Sequence, residues 1–279
     1  MRIICTLITI LISLFQTSIN AAQETYNLSM LPRYSSNEIN RRINPLSEYL
    51  SKKTKHNIEP VITSDFAQYE KRLKNGSIEL GYENPYIYTL VSETHEVIAM
   101  AVKGIDQDKF RGIIIARNDS ELLRFEDLRG KTISIVGYTS AGGYLSQKLS
   151  LMEAGIDVDK ECKIIEAVDN KQENVILSVY TGDVDAGFIR ESALNQADEY
   201  IAPSRLMVVS ACAWLPNWAF SVKRTLPADL KEQIKTALLD LKPNHPVMKA
   251  LKIRLFRPAK DSEYNSVRRA LGLEVSLNN

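Results

Sequence analysis

Strand-like and helix-like segments alternate along this chain, and the alternation starts twice. Tyr26 to Leu31 reads as a short strand, after which Ser35 and Glu38 have the spacing of a capping box that opens a helix. Ile39, Ile43, Leu46 and Leu50 recur at three- and four-residue steps and give that helix one apolar face, while Lys52, Lys53 and Lys55 suit the negative end of its dipole. Ile58 to Ile62 predicts a strand, Phe66 to Leu73 a second helix stopped by Gly76, and Ile78 to Tyr82 a third strand. This order builds a parallel sheet with helices on its faces. The pattern then restarts: strands over Gly112 to Ala116 and Thr132 to Val136, a helix over Ser140 to Ala154, a strand over Cys162 to Ala167, a helix over Glu173 to Tyr180, and a strand over Val184 to Ile189. Leu206 to Ala211 is apolar again, and Leu230, Ile234, Leu238 and Leu241 share one face of a helix from about Ala228 to Leu241. The expected fold is α/β with two units in tandem. No Pro/Gly/Ser-rich linker separates them, which predicts two lobes joined by extended strands, a hinge geometry.

At 279 residues the chain is long enough for two such units. Its 35 Lys and Arg against 34 Asp and Glu leave a net charge of +1, so no polyanion-binding face is implied and nucleic acid is not an expected partner. The N-terminus stands apart from the rest. Arg2 is its only charge, Ile3 to Phe15 is almost wholly apolar, and Ala21 and Ala22 follow, the pattern of a secretory signal peptide over residues 1–22. The apolar run is too short to span a bilayer. Export leaves Cys162 and Cys212 in an oxidising compartment; beside strand-like segments they read as two buried thiols, with a disulfide as the alternative. His56, His95 and His245 stand in no ligating pattern, so neither a metal nor another cofactor is expected.

Three segments carry candidate chemistry, each at the end of a predicted strand, where open α/β sheets bind ligands. In the first, Gly137 to Tyr144, Ser140 is a plausible N-cap following Thr139, and Ala141, Gly142 and Gly143 would leave the first backbone N–H groups of the helix uncovered for an oxyanion. The competing reading is an ordinary capped turn that needs glycine for its geometry. The segment is neither a dinucleotide fingerprint nor a P-loop, and Tyr138 stands where a serine-hydrolase elbow needs glycine. In the second, Gly81 to Tyr88, Tyr82, Tyr86 and Tyr88 with Asn84 and Glu83 offer stacking faces and hydrogen bonds to a small polar ligand, or a helix start with Pro85 near its first position. In the third, Asp183 to Glu191, Arg190 either faces an anion or pairs with Glu191 or Asp185. Trp214 and Trp218 read as packing residues, with a cleft-lining role for one of them as the alternative.

Taken in order, these segments resemble the phosphate/phosphite/phosphonate-binding periplasmic proteins, the two-lobed solute receptors of ABC importers. The likeness runs from about Leu31 to Leu241 and includes Asn44 to Leu50, Ser64-Asp65-Phe66, Gly81 to Tyr86, Asp127 to Lys131, the Ser140 turn, Gly155-Ile156-Asp157 and Gly182 to Gly187. It implies a two-lobed type II periplasmic-binding fold, each lobe a mostly parallel sheet flanked by helices. It also implies lobes of 23–112 plus 209–279 and of 113–208, connecting strands near Ile113 and Val208, a periplasmic location, a monomer, and closure on a ligand without catalysis.

Carried over residue by residue, the resemblance retains Tyr82. It places Phe66 where several members have tyrosine, and it reduces the family's hydroxyl-rich anion cradle to Ser140-Ala141-Gly142-Gly143. Gln172-Glu173 replaces a His-acidic pair, leaving Glu173 to meet any cationic group of the ligand. Each lost hydroxyl forgoes roughly 1.5–3 kcal/mol of charge-assisted hydrogen bonding. The main expectation is a receptor that presents a small anion, phosphonate- or phosphate-like, to a membrane permease. Ser140 and the N–H groups of Ala141, Gly142 and Gly143 hold the anion, and Tyr82, Tyr86 and Phe66 form the opposite wall. The alternatives are a sensing component that docks to a membrane histidine kinase, which the Ser140 turn and the Asp185 to Arg190 run also resemble, and a binding protein for a solute without phosphorus.

Overall fold

The computed structural model describes residues 24–105 and 107–275. The signal-peptide expectation, on residues 1–22, lies outside them. In the first part of the chain come β1 (Thr25–Met30), α1 (Ser36–Thr54), β2 (Asn57–Pro60), α2 (Phe66–Lys74), β3 (Leu80–Glu83), α3 (Pro85–Val91) and β4 (His95–Val102). The middle holds β5 (Lys109–Arg117), β6 (Thr132–Ile135), a π-helical turn (Ala141–Leu145) leading into α4 (Ser146–Glu153), α5 (Val158–Glu161), β7 (Lys163–Glu166), α6 (Gln172–Thr181), β8 (Ala186–Arg190) and β9 (Leu206–Pro216). The last part adds β10 (Ala219–Lys223), α7 (Ala228–Leu239), α8 (Pro246–Leu251), β11 (Leu255–Pro258) and α9 (Asn265–Leu271).

The helix starts follow from side-chain caps. Ser35 accepts the Glu38 N–H at the head of α1, Asp65 accepts the Gln68 N–H at α2, and Asn84 accepts the Ile87 N–H at α3 with Pro85 in the first turn. Each cap satisfies a donor that the helix itself leaves open. Gly76, at φ 72, reverses the chain after α2 in a conformation that other residues avoid.

The strands make two sheets: a six-stranded one in the order β11-β4-β10-β3-β1-β2 and a five-stranded one in the order β7-β6-β8-β5-β9. In the first, β1 runs parallel to β2 and β3, while β10 and β11 are antiparallel to their neighbours. In the second, β6 runs parallel to β7 and β8, and β5 is antiparallel to β8 and β9. The apolar stripe of α1 (Ile39, Ile43, Leu46, Leu50) packs with Leu28, Leu80 and the Leu230, Ile234 and Leu238 face of α7 in one core. Ile133, Ile135, Leu145, Leu149 and Phe188 build a second core on one face of the other sheet, and Ile113, Ile115, Val175 and Val179 build a third on its opposite face. Burial on both faces is why its inner strands β5, β6 and β8 read as near-continuous apolar runs.

The crossings between the sheets differ from the expected positions. Ile113 and Val208 lie inside the second sheet, where Ile113 pairs with Ile189 and Ala211, and Val208 with Ile115. The β5–β9 ribbon continues to the Lys109–Pro216 pair, so the chain passes from one sheet to the other at residues 103–108 and again at Asn217-Trp218. The two passages are tied together: the Asn217 N–H donates to the Asp108 carbonyl at 2.8 Å. The tail also departs from expectation, because Val267 and Ala270 of α9 enter the core of the second sheet. Cys162 and Cys212 are free thiols, and burial pushes the pKa of Cys212 up to about 12.

Candidate anion-binding cleft

The strand register decides which residues meet. Met30 of β1 stands opposite Tyr82 of β3, and Glu83 stands opposite Ala219 of β10, which also faces Met100 of β4. The turn after β1, the end of β3, the approach to β10 and the exit from β4 therefore lie along one edge of the first sheet. That edge carries Arg33, Tyr34, Tyr82, Trp218 and Lys103. In the second sheet, Ile135 of β6 stands opposite Phe188 of β8, and Arg190 faces Gly112 of β5. The Ser140 turn, Arg190 and Phe110 thus share one edge there. The two edges face each other: the Asn84 side-chain amide of the first donates to the Thr139 carbonyl of the second at 3.2 Å, and Tyr86 packs against the cores of both sheets.

Arg190 is the centre of the arrangement. Its guanidinium lies over the Phe110 ring, 4.0 Å from the centroid, and its Nε is buried without a hydrogen-bond partner. Gly142 makes room for it, since a Cβ there would stand 3.1 Å from the Arg190 Cβ and 3.2 Å from the Cγ. Burial, then the positive charge of Arg33, pull the Arg190 pKa down to about 10. No ion pair to Glu191 or Asp185 forms: Glu191 is taken by Arg111, and Asp185 accepts the Thr132 N–H.

Across the cleft, Arg42 is buried on α1, chelated through Nε and Nη2 by Glu38 and stacked 4.1 Å from the Tyr34 centroid. Arg33 lies over both Tyr34 and Trp218, 5.2 and 5.9 Å from their centroids. Tyr82 is buried, with its ring 5.2 Å from Trp218 and 6.0 Å from Phe256. Its hydroxyl pKa is raised by burial first and by Tyr34, so it stays a neutral donor. Solvent reaches Lys103, yet the protein mass around its ammonium and then the charges of Arg190, Arg33 and Arg42 lower its pKa to about 8.

The Ser140 turn is a capped turn that leaves two of its N–H groups open. Ser140 caps it, accepting the Gly143 N–H at 3.1 Å, so that N–H, expected among the ligand donors, is used within the turn. The Ser140 hydroxyl hydrogen remains to donate, and the Ala141 and Gly142 N–H groups lie in the first turn, where a helix has no acceptor of its own. The turn is π-helical: the Leu145 N–H reaches the Ser140 carbonyl, and the Gly143 carbonyl accepts from Val136. A Cβ on Gly143 would fall on Val136, which fixes glycine there. Extra-wide turns of this kind recur at functional sites.

Other expected wall residues stand differently. Phe66 is half-buried at the start of α2, packed on the first core. Glu173 is half-buried in the first turn of α6 and is not among the groups acting on Arg190 or Lys103, whereas its neighbour Gln172 accepts the Arg190 backbone N–H at 2.9 Å. Of the two tryptophans, Trp218 is at the cleft and Trp214 is exposed under Arg111. Arg33, Tyr34, Arg42, Lys103 and Phe110 were not singled out by sequence pattern; only the positions of the first four around the first sheet and of Phe110 in β5 of the second bring them together. Among the described residues no metal-ligating cluster occurs, and no helix is long and apolar enough to cross a membrane.

Residues 28–264 match the model of a family described as the phosphonate ABC transporter, periplasmic substrate-binding protein. The chain is 22% identical over 236 residues to the phosphate-import protein PhnD of Mycolicibacterium smegmatis, covering 79% of this chain and 73% of that one. Its fold is similar to that of a Xanthomonas citri protein bound to chloride, with a TM-score of 0.75 at 18% identity over 89% of this chain and 99% of the other. It is also similar to PhnD1 of Prochlorococcus marinus in complex with methylphosphonate, with a TM-score of 0.70 at 16% identity over 90% and 99%.

Proposed function

Because this chain belongs to the family of periplasmic substrate-binding proteins of phosphonate ABC transporters, we propose that its cleft captures a small phosphorus oxyanion between the lobes and that the closed form delivers it to the permease. It is a solute-binding protein of the extracytoplasmic compartment that works with a membrane permease, and not an enzyme. The observation that carries the choice of ligand is the buried, unpartnered Nε of Arg190, held on Phe110 at the meeting of the two sheet edges. A buried donor without an acceptor is costly, and an oxyanion removes that cost.

In this reading the Ser140 hydroxyl and the Ala141 and Gly142 N–H groups hold one side of the anion, and Arg190 holds another. The phenol of Tyr82, with Arg33 beyond it, closes over the ligand from the first lobe. Thr139 shapes the lip by meeting Asn84. Only the closed arrangement brings both sets of donors to the ligand, so binding and closure are the same equilibrium. The passage between β4 and β5 and that at Asn217-Trp218 serve as the hinge. The protein works as a monomer, with residues 1–22 as its export signal.

Thermal unfolding of the mature chain against phosphate, phosphite, alkylphosphonates, aminoethylphosphonate, sulfonates, carboxylates and betaines tests this. A ligand at about 100 times its dissociation constant stabilises by about 2.7 kcal/mol, a shift of several degrees. A shift with a phosphorus oxyanion that Arg190→Met removes is the expected result. A shift confined to carboxylates or betaines would refute the ligand class.

A further inference from the structure

Resting on that reading, we infer that the cleft selects its ligand by charge number: it takes an anion carrying two or more negative charges and discriminates against a singly charged molecule of the same shape. The ground is the company that Arg190 keeps. Bringing the two sheet edges together sets Arg190 of the second lobe against Arg33 and Arg42 of the first and Lys103 of the hinge. Among the described residues the one carboxylate bonded to any of these cations is Glu38, on Arg42. Arg33 and Arg190 rest on aromatic faces instead, on Tyr34 and Trp218 and on Phe110. Ring faces attract a cation but do not neutralise it.

Closure therefore concentrates like charge in a partly desolvated space, where Coulomb repulsion is several times stronger than in water. The consequence is visible on two of these cations. Burial and mutual repulsion hold Lys103 down to about 8 and Arg190 down to about 10. A monoanion offsets one of these charges and leaves the others opposed, whereas a dianion offsets the repulsion that resists closure. The charged and titratable groups facing Lys103 are Arg190, Arg33 and Arg42, and those facing Arg190 are Arg33, Tyr34 and Tyr82, besides Lys103. None of them supplies negative charge at neutral pH. Among the described residues no carboxylate acts on Arg190 or Lys103, so an amine-bearing phosphonate gains no ion pair from them there.

The test is calorimetric titration of the mature protein at pH 8 with methylphosphonate, a dianion, and methanesulfonate, a monoanion of nearly the same shape. The expected result is binding of methylphosphonate at least a hundredfold tighter. Arg190→Met and Lys103→Met should each cut that ratio by about tenfold or more, and Arg190→Lys, which keeps charge but loses the fork, should fall between. Titrating in two buffers of different ionisation heat adds a second readout. With its pKa lowered to about 8, Lys103 is only partly protonated before binding, so wild type should take up a fraction of a proton that Lys103→Met does not. Comparable affinity for the two ligands, or an unchanged ratio in both Met variants, would overturn the charge selection while leaving the oxyanion reading intact. Binding of neither ligand would overturn both.

Discussion

Two clusters of ionisable side chains sit back to back at the end of β3, and they are built on opposite terms. At the cleft, Arg190, Arg33 and Lys103 are of one sign, and among the described residues no carboxylate bonds to them. Behind them, fully buried, Glu83 bonds to the Tyr69 hydroxyl at 2.8 Å and to Ser221, whose hydroxyl also meets the His95 Nδ1 at 3.2 Å. Burial raises the Glu83 pKa to about 7 and lowers that of His95 to about 4, so both favour their neutral forms. The inner cluster lowers its desolvation cost by giving up charge, although the Glu83 Oε1 and the His95 Nε2 stay buried without a hydrogen-bond partner; the cleft keeps its charge and leaves the cost for a ligand to relieve. Titratable groups in a fold mark function where the fold keeps them charged without an opposite charge, and structure where it lets them go neutral.

Several substitutions break or sharpen this contrast. Glu83→Ala strands the Tyr69 and Ser221 hydroxyls and opens a cavity, and is expected to cost about 2–4 kcal/mol in urea unfolding. The milder Glu83→Gln should expose His95 in the pH dependence of stability. Glu83, raised above its unfolded value, contributes stability at low pH that is lost as the pH rises from about 4.5 toward about 7. His95, lowered below its unfolded value, does the reverse: stability is lost as the pH falls from about 6.5 toward about 4. The two slopes oppose each other in wild type. With Glu83→Gln, stability should climb with pH between 4 and 6.5 by an amount on the order of a few kcal/mol, against a flatter wild-type profile. An equally flat profile in the variant would show that the two groups do not offset one another.

At the cleft the expected effects fall on binding. Gly142→Ala pushes a methyl into the Arg190 stem and Phe110, and should weaken phosphonate binding by about tenfold while changing stability by less than about 1 kcal/mol. Arg190→Met removes a half-buried charge whose Nε has no partner. It should raise the thermal midpoint of the unliganded protein slightly, by about 1–3 °C, as expected where function is held at the expense of stability. A fall in the midpoint would mean that Arg190 is compensated within the fold, and the contrast between the clusters would not hold.

Much of the frame was legible in the sequence because it is written locally. The Ser35 cap, the stripe on α1 and the restart of the strand–helix pattern all depend on neighbours within a turn or two. Strands β4, β10 and β11 were not read, since antiparallel insertion into a sheet depends on distant partners and an apolar run such as Val97 to Val102 does not announce them. The same division holds at the site. Ser140, Gly142 and Arg190 were visible as strand-end residues, and the glycine at 142 has a reason that no spacing reveals, the stem of Arg190. Lys103, Arg42 and Arg33 look like ordinary surface charges in a chain of balanced composition. Their concentration comes from the register of β1, β3, β4 and β10 and from the approach of a second sheet.

The most direct test of the account is a crystal structure of the mature protein grown with methylphosphonate. The account predicts the phosphonate group between the sheets, within hydrogen-bond distance of the Arg190 Nε and the Ser140 hydroxyl. Density for the ligand elsewhere, or an Arg190 guanidinium turned away from it to a carboxylate, would contradict the account.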